Sequence, residues 1–202
     1  MKEAPALPAR KAKHADFLNE RPSPDSRYIA DWVVDSGNNQ GMPFIIINKV
    51  HAMAFLFDAQ GRLRGAAPVL IGAAVGDDSA PGIGTRKLAD IRPDERTTPA
   101  GRFVASLAKN FGKEILWVDY KADIALHAVV TSNPKERRPQ RLASGTPLDK
   151  RISFGCINVP ATFFENVVKP AFTGTNGIVY VLPETRPVHK AFGSYAVQAR
   201  GG

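Results

Sequence analysis

Glycine and proline divide this chain into short apolar runs, and this spacing most constrains its fold. The 202 residues include 17 glycines and 16 prolines, and the runs between them are rich in Val, Ile and Phe, as in "PFIIIN" at 43–48. Glycine and proline punctuate secondary structure, whereas β-branched and aromatic residues favour strands. With 44% hydrophobic residues, the chain is expected to form one mainly β domain.

The chain divides into four expected segments. Residues 1–22 mix Pro, Ala, Lys and Arg without periodicity, so we expect a flexible, solvated N-terminal extension. Residues 23–42 are expected to form a helix packed on the main body, and residues 43–185 to form the main domain. Residues 186–202 have no clear pattern and are expected to form a tail.

The pattern places two helices at the borders of the strands. Ile29, Trp32 and Val33 follow the i, i+3, i+4 spacing of an amphipathic helix, which Ser23 or Asp25 can cap. A second helix is expected in "PATFFENVVKPAF" at 160–172, which begins with proline. The strands are expected in the runs at 43–74, 103–108, 114–120, 123–130 and 177–184.

Charge and composition exclude several classes of function. The net charge of +8 comes from scattered basic residues without a nucleic-acid-binding motif, so no nucleic-acid partner is expected. The four histidines and the single cysteine have no metal-ligand spacing, so no metal or other cofactor is expected. No run is long enough to span a bilayer. "MKEAPALPARKAKH" has no apolar stretch typical of a signal peptide, which leaves either a cytosolic protein or a signal that has been removed.

Cys156, in "RISFGCINVP", is the candidate for chemistry. A lone cysteine is often a small buried hydrophobe. It can also be a nucleophile where a base lowers the barrier to its ionisation and backbone N–H groups stabilise an oxyanion. Gly155 allows a close approach to the backbone, and a helix is expected soon after. The residues alone favour the nucleophile only slightly.

His127 is the best candidate for the base. It lies in the apolar run "DIALHAVV", where an imidazole is costly unless it is hydrogen-bonded or used. A satisfied structural histidine is the alternative. His14 lies in the N-terminal extension, and His51 and His189 have no loop or glycine beside them that indicates a site.

These motifs together resemble the L,D-transpeptidase catalytic domain, also called the YkuD-type domain. In that family a histidine on a strand is followed by Ser/Thr-His-Gly-Cys, an apolar residue and Arg or Asn; here His127 is followed by "SFGCIN" at 153–158. "TTPAGRF" at 97–103 resembles the family's Thr-Pro-x-Gly-x-Phe element. The resemblance covers residues 43 to 183 and implies a mainly antiparallel β-sandwich with a helix after the cysteine.

The resemblance implies an enzyme of the bacterial cell wall. Members of the family are cysteine acyltransferases that cut the L-to-D peptide bond of a peptidoglycan stem tetrapeptide, release D-alanine and pass the acyl group to an amine. The implied partners are peptidoglycan stem peptides, and the implied place is the periplasm or cell envelope. Acylation by carbapenems is implied as well, while the oligomeric state stays open.

The resemblance also implies roles for individual residues. Cys156 corresponds to the nucleophile and His127 to the base, with the Ala128 carbonyl orienting the imidazole. The backbone N–H groups of Gly155 and Cys156 correspond to the oxyanion hole. Two further residues of the motif have supporting roles: Ser153 and Asn158.

The sequence departs from the family pattern at two places. Phe154 stands where the family usually has a second histidine, and it is a candidate substrate contact. The loop between His127 and Cys156 is longer than in the family. Its basic residues either face the carboxylates of stem peptides or are simply solvated: Lys135, Arg137, Arg138 and Arg141.

Three functions remain open from the sequence. The first is transpeptidation to a diaminopimelate or other amine acceptor. The second is hydrolysis of the same bonds by an L,D-carboxypeptidase or amidase, in which water replaces the amine. The third is a catalytically silent module that binds the wall.

Overall fold

The computed structural model describes residues 11–110 and 112–198. Within these ranges the strands are β1 (Phe44–Asn48), β2 (Met53–Phe57), β3 (Leu63–Pro68), β4 (Ile71–Gly72), β5 (Gly101–Asn110), β6 (Lys113–Asp119), β7 (Ile124–Ala128), β8 (Arg151–Ser153), β9 (Ile157–Val159) and β10 (Gly177–Val181). The α-helices are α1 (Pro24–Ser36), α2 (Arg138–Ala143), α3 (Ala161–Phe163), α4 (Lys169–Phe172) and α5 (Val188–Phe192), and a π-helical stretch, Phe164–Val168, joins α3 to α4. The expected mainly β fold, with helical structure soon after the cysteine, is confirmed.

Eight of these strands form one continuous sheet. Its order is β3-β2-β1-β10-β5-β6-β7-β9, and β4 and β8 form a separate parallel pair. Most neighbours are antiparallel, but β1 pairs with β10 in parallel and so does β7 with β9. The last of these pairs lies at the sheet edge and carries His127.

Two hydrophobic cores lie on opposite faces of the central strands. In β1, Ile45 and Ile47 belong to one core, which also contains side chains of β5 to β7, β9 and the helical segment 161–172; we call it the inner core. Phe44 and Ile46 belong to the second core, together with α1. Because side chains alternate along a strand, a strand covered on both faces is apolar throughout. This explains the unbroken run of "FIII".

Helix α1 begins and ends as its sequence predicts. The Ser23 side chain accepts a hydrogen bond from the backbone N–H of Ser26, and Gly37 ends the helix with a φ of 69°. Ile29 and Val33 are fully buried against the second core. The capping residues therefore set the ends of this helix, and its buried residues set the face that packs on the sheet.

The expectation of a solvated extension is wrong for the described part of the N-terminus. Ala15 and Phe17 are 1% and 3% exposed, and the Phe17 ring lies 4.9 Å from that of Phe57, centroid to centroid. The backbone of Asp16 pairs with Gly61 and Leu63 beside β3. One aromatic anchor and a few backbone hydrogen bonds suffice to order a segment that has no periodic pattern. Residues 1–10 lie outside the described residues.

The C-terminal segment also packs more closely than expected. Val188 at the start of α5 is buried, and Phe192 packs against Tyr180 with ring centroids 6.0 Å apart. The Tyr195 hydroxyl donates a hydrogen bond to Asp35 of α1 at 2.7 Å. The short helix escapes sequence analysis because its five residues are too few to show a helical period.

A buried ionic network ties β1 to the loops behind the cysteine. The Lys49 ammonium is fully shielded and contacts the Asp77 carboxylate at 2.8 Å and the Thr98 carbonyl at 2.9 Å. It also approaches Glu184 at 3.5 Å, and Glu184 pairs with Arg151. Burial raises the pKa of Asp77, but hydrogen bonds from Lys49 and Thr185 outweigh it and hold the pKa well below its usual range. The Asp77 carboxylate is therefore charged at neutral pH.

Removal of the Lys49 cation should destabilise the fold strongly. Lys49→Met leaves buried carboxylates without their partner, which costs about 3–5 kcal/mol of unfolding free energy. Since the native pKa of Asp77 is depressed, its contribution is present above about pH 4 and is lost as the pH falls towards the native pKa. Urea titrations of both proteins at neutral and acidic pH measure this loss, which should shrink in acid.

Arg92→Ala provides the control, because Arg92 and Asp94 form an ion pair whose side chains are 68% and 71% exposed. Such pairs contribute about 0–1 kcal/mol. Equal stability of Lys49→Met and the wild type at neutral pH would contradict the role given to this network.

Candidate active site

Parallel pairing of β7 with β9 brings the two candidate catalytic residues together. Leu126 pairs with Ile157 and His127 with Asn158, so Cys156, directly before Ile157, lies two pair positions from His127. Leu126 and Ile157 point into the inner core, and alternation places His127 on the opposite face. Cys156 is partly exposed beside this strand. The long intervening loop therefore leaves its two ends adjacent in the sheet.

The Cys156 thiol rests against the start of β7. Its sulfur accepts a hydrogen bond from the Ala125 N–H at 3.5 Å and lies 3.7 Å from the Asp123 carbonyl oxygen, to which it can donate. Among the described residues no hydrogen bond joins it to the His127 imidazole. Burial raises the pKa of the thiol, and the Ala125 N–H only partly offsets this. The resting group is a neutral thiol.

The His127 imidazole has a fixed orientation. Its Nδ1 lies 2.8 Å from the Ala128 carbonyl oxygen. A carbonyl can only accept, so Nδ1 carries a proton and Nε2 has a free lone pair when the ring is neutral. Burial lowers the pKa of His127, against the effect of the Ala128 carbonyl. The imidazole is therefore neutral at pH 7 and can accept a proton.

The turn before the sulfur is closed by Ser153. Its hydroxyl donates to the Cys156 carbonyl at 2.6 Å and accepts from the Gly155 N–H at 3.1 Å. Gly155 has a φ of 135°, and a Cβ there would lie 2.6 Å from Ile124 and 2.7 Å from the Thr97 carbonyl oxygen. Only glycine fits this position.

This geometry corrects one expectation about the oxyanion hole. The Gly155 N–H is buried and donates to Ser153, so it does not face a substrate. The Cys156 N–H has no acceptor in the part of the chain that the structure describes. Of the two expected donors, only the N–H of Cys156 is left for an oxyanion.

Thr98 holds the cysteine turn on its buried side, a role that sequence analysis did not predict. Its hydroxyl donates to the Gly155 carbonyl at 2.8 Å and accepts from the Gly72 N–H at 2.8 Å. Thr98 belongs to "TTPAGRF", so the resemblance pointed to the segment. Nothing in the local pattern indicated its partner 57 residues away.

Asn158 and Arg138 form the polar side of the site. Asn158 is fully buried, donates to the Cys156 carbonyl at 3.3 Å and accepts from the Arg138 guanidinium at 2.7 Å. Arg138 is also held by Glu136. Its positive charge lowers the pKa of both Cys156 and His127. Arg138 is thus the loop residue that approaches the site.

The other basic residues of the long loop do not converge on the sulfur. Arg141 donates to the carbonyls of Glu136 and Asp149, and so it holds the loop together. Arg137 lines a separate cavity with Gln140, and Lys135 is exposed. Of the four basic residues expected to face the substrate from this loop, only Arg138 lies beside the site.

Phe154 packs at the edge of the inner core beneath a cation. The Arg96 guanidinium lies 4.2 Å above the centroid of its ring, and Arg96 also donates to the Ile91 carbonyl. The aromatic ring therefore holds the end of the loop 73–100, which joins β4 to β5, beside the cysteine turn. It supplies no hydrogen-bond donor where the family usually has a histidine.

A cavity of about 840 Å³ opens on the His127 side of the site. The tip of the β5–β6 hairpin, the end of β7 and the π-helical stretch form its walls, and Lys109, Lys113 and Glu165 contribute charged groups. Cys156 does not line it. Within residues 11–110 and 112–198 no cluster of three or more His, Cys, Asp or Glu side chains is placed to hold a metal ion. No described helix is long and apolar enough to cross a membrane.

Comparison with known proteins finds structural similarity but no match by sequence. The sequence matches no family model and no curated protein. The helical cell shape determining protein Pgp2 from Campylobacter jejuni is 13% identical, with a TM-score of 0.46 over 72% of this chain and 49% of that one. The L,D-transpeptidase from Xylanimonas cellulosilytica is 12% identical, with a TM-score of 0.39 over 69% and 60%.

The catalytic domain of the L,D-transpeptidase from E. faecium is 15% identical, with a TM-score of 0.41 over 69% of this chain and 96% of that one. Two of these three structures belong to the family that the motifs resemble. The chain spans about half of Pgp2 and 60% of the Xylanimonas protein.

Alkylation of the resting Cys156 thiol should become fast only at high pH. Since burial raises the pKa of Cys156, alkylation by iodoacetamide should rise with pH around a midpoint above about 8.5, the value of an unperturbed thiol. Rates measured from about pH 6 to 10 by intact-mass spectrometry provide the profile. The same cysteine in the urea-unfolded chain is the matched control. A folded-state midpoint below that of the unfolded chain would show a resting thiolate instead.

Proposed function

We propose that this chain is a cysteine acyltransferase that acts as an L,D-transpeptidase on peptidoglycan stem tetrapeptides. The observation that carries the proposal is the placement of a thiol and an oriented neutral imidazole two pair positions apart on the parallel strands β7 and β9, at the edge of the sheet. The motif "SFGCIN" supports the choice of substrate through its resemblance to the family. The cell envelope is the proposed place of action, because the substrate lies there.

In the first half-reaction the Cys156 sulfur attacks the carbonyl carbon of the L-to-D peptide bond. Nε2 of His127 accepts the thiol proton and then gives it to the nitrogen of the leaving D-alanine, so that a thioester forms as the amide bond breaks. A change of χ1 at Cys156 turns the sulfur from Asp123 towards His127. Such contacts are often long before substrate binds and tighten in the complex.

The negative charge that develops in this step is stabilised by groups that are already in place. The tetrahedral intermediate carries an oxyanion, which the Cys156 N–H can bind. Arg138 brings a positive charge to the same side of the turn, held by Asn158 at 2.7 Å. These groups replace the donor that is lost when Phe154 stands for the family's second histidine.

In the second half-reaction an acceptor attacks the thioester. An amine loses its proton to Nε2 of His127, forms the new amide bond and releases the Cys156 thiol, which regains a proton. The cavity on the His127 side offers the acceptor a route to that nitrogen. Water can enter by the same route, so hydrolysis is the competing outcome of one chemistry.

Purified disaccharide-tetrapeptide tests the proposal. Mass spectrometry should show loss of D-alanine with formation of a cross-linked dimer. Loss of D-alanine with gain of water would identify a hydrolase instead. Cys156→Ala and His127→Ala should each reduce turnover by at least about 10³-fold, because residues that act as a unit do not contribute independently.

His51→Ala is the matched control, since His51 is exposed and its ring lies beside Asn48, away from the cysteine. It should retain nearly full activity. An unchanged tetrapeptide with the folded wild type would favour the silent wall-binding module, for which Phe154 is the motivating residue. Full activity of His127→Ala would show that another group is the base.

A further inference from the structure

The Thr98 hydroxyl makes two hydrogen bonds on the buried side of the turn that carries Cys156. It is buried, donates to the Gly155 carbonyl and accepts from the Gly72 N–H, both at 2.8 Å. Neither partner belongs to the same segment as Thr98. The hydroxyl thus joins the loop 73–100, β4 and the cysteine turn at one point.

One peptide plane connects this hydrogen bond to the chemistry. The Gly155 C=O and the Cys156 N–H belong to the same planar trans peptide, in which they point in opposite directions. When Thr98 holds the carbonyl inwards, the N–H must point outwards. The Cys156 N–H is the donor left without an acceptor in the described chain.

The surroundings of Thr98 make this orientation specific. The backbone of Thr98 is itself held, because the buried Lys49 ammonium donates to its carbonyl at 2.9 Å. At Gly72 a Cβ would meet the Thr98 nitrogen at 2.7 Å, and at Gly155 it would meet the Thr97 carbonyl oxygen at 2.7 Å. Two glycines therefore permit an approach that any larger residue would block.

We propose that Thr98 is a positioning residue that aims the Cys156 N–H at the oxyanion of the acyl-transfer intermediate. Its effect on rate rests on the proposed function; its effect on the orientation of the Gly155–Cys156 peptide does not. Without the hydroxyl, the Gly155 carbonyl loses its donor and the peptide is free to rotate. The thiol and His127 keep their own contacts, with Ala125 and Ala128.

Two reactions of the same thiol separate positioning from general damage. Acylation by a carbapenem forms an oxyanion as the lactam carbonyl is attacked and its C–N bond opens. Alkylation by iodoacetamide displaces iodide from carbon and forms no oxyanion. Thr98→Val removes the hydroxyl at nearly constant volume, and Thr98→Ser keeps it.

Thr98→Val should slow acylation by about 10- to 100-fold and leave alkylation within about 2-fold. It should also move the amide resonance of Cys156 in ¹H–¹⁵N spectra. Thr98→Ser should restore the acylation rate and the resonance. If Thr98→Val does not fold, Thr98→Cys replaces it, because a thiol is only a weak donor.

Unchanged acylation in the folded variant, or an equal loss of acylation and alkylation, would overturn the inference. A wild type that no carbapenem acylates would instead count against the proposed function. In that case the Cys156 resonance decides alone: a shift that Thr98→Ser reverses supports the orientation by Thr98, and an unchanged resonance refutes it.

Discussion

Parallel pairing between β7 and β9 at the edge of the sheet is the constraint on which the candidate site depends. It fixes His127 opposite Asn158 and two pair positions from Cys156, although 28 residues lie between His127 and Cys156 in the chain. Closing a long loop costs little more than closing a short one, because the entropy grows only logarithmically with length. The loop can therefore carry Arg138 to the site while its ends stay paired.

The site combines two groups that are both neutral at rest. Burial raises the pKa of the Cys156 thiol and lowers that of the His127 imidazole. A neutral pair avoids the cost of a buried thiolate and imidazolium until substrate arrives. In the proposed mechanism, proton transfer accompanies attack of the sulfur, and the negative charge develops where the Cys156 N–H and Arg138 can stabilise it. The buried network around Lys49 holds the backbone of Thr98, which packs on the buried side of this turn.

Local patterns predicted the elements, and long-range contacts decided the rest. The capped helix α1, the apolar runs of β1 and β10 and the helix after the cysteine follow from spacing and from turn residues. Phe17 is ordered by rings of β2, and the Gly155 N–H is taken by Ser153. The partners of Thr98 are set by how separate loops meet. Local sequence periodicity does not encode such long-range pairing or the direction of a single N–H group. The roles of Cys156 and His127 therefore stay predictions from the motif, and the sequence did not reveal that Ser153 accepts from the Gly155 N–H.

The central claim is that Cys156 carries an acyl group derived from the substrate. Acid quenching during turnover of a disaccharide-tetrapeptide, followed by intact-mass spectrometry and peptide mapping, tests it most directly. An acyl-enzyme mechanism predicts a transient mass gain equal to the donor minus D-alanine, located on Cys156 and absent from Cys156→Ala. Release of D-alanine with no adduct on Cys156 at any quench time, or with equal rate in Cys156→Ala, would contradict it.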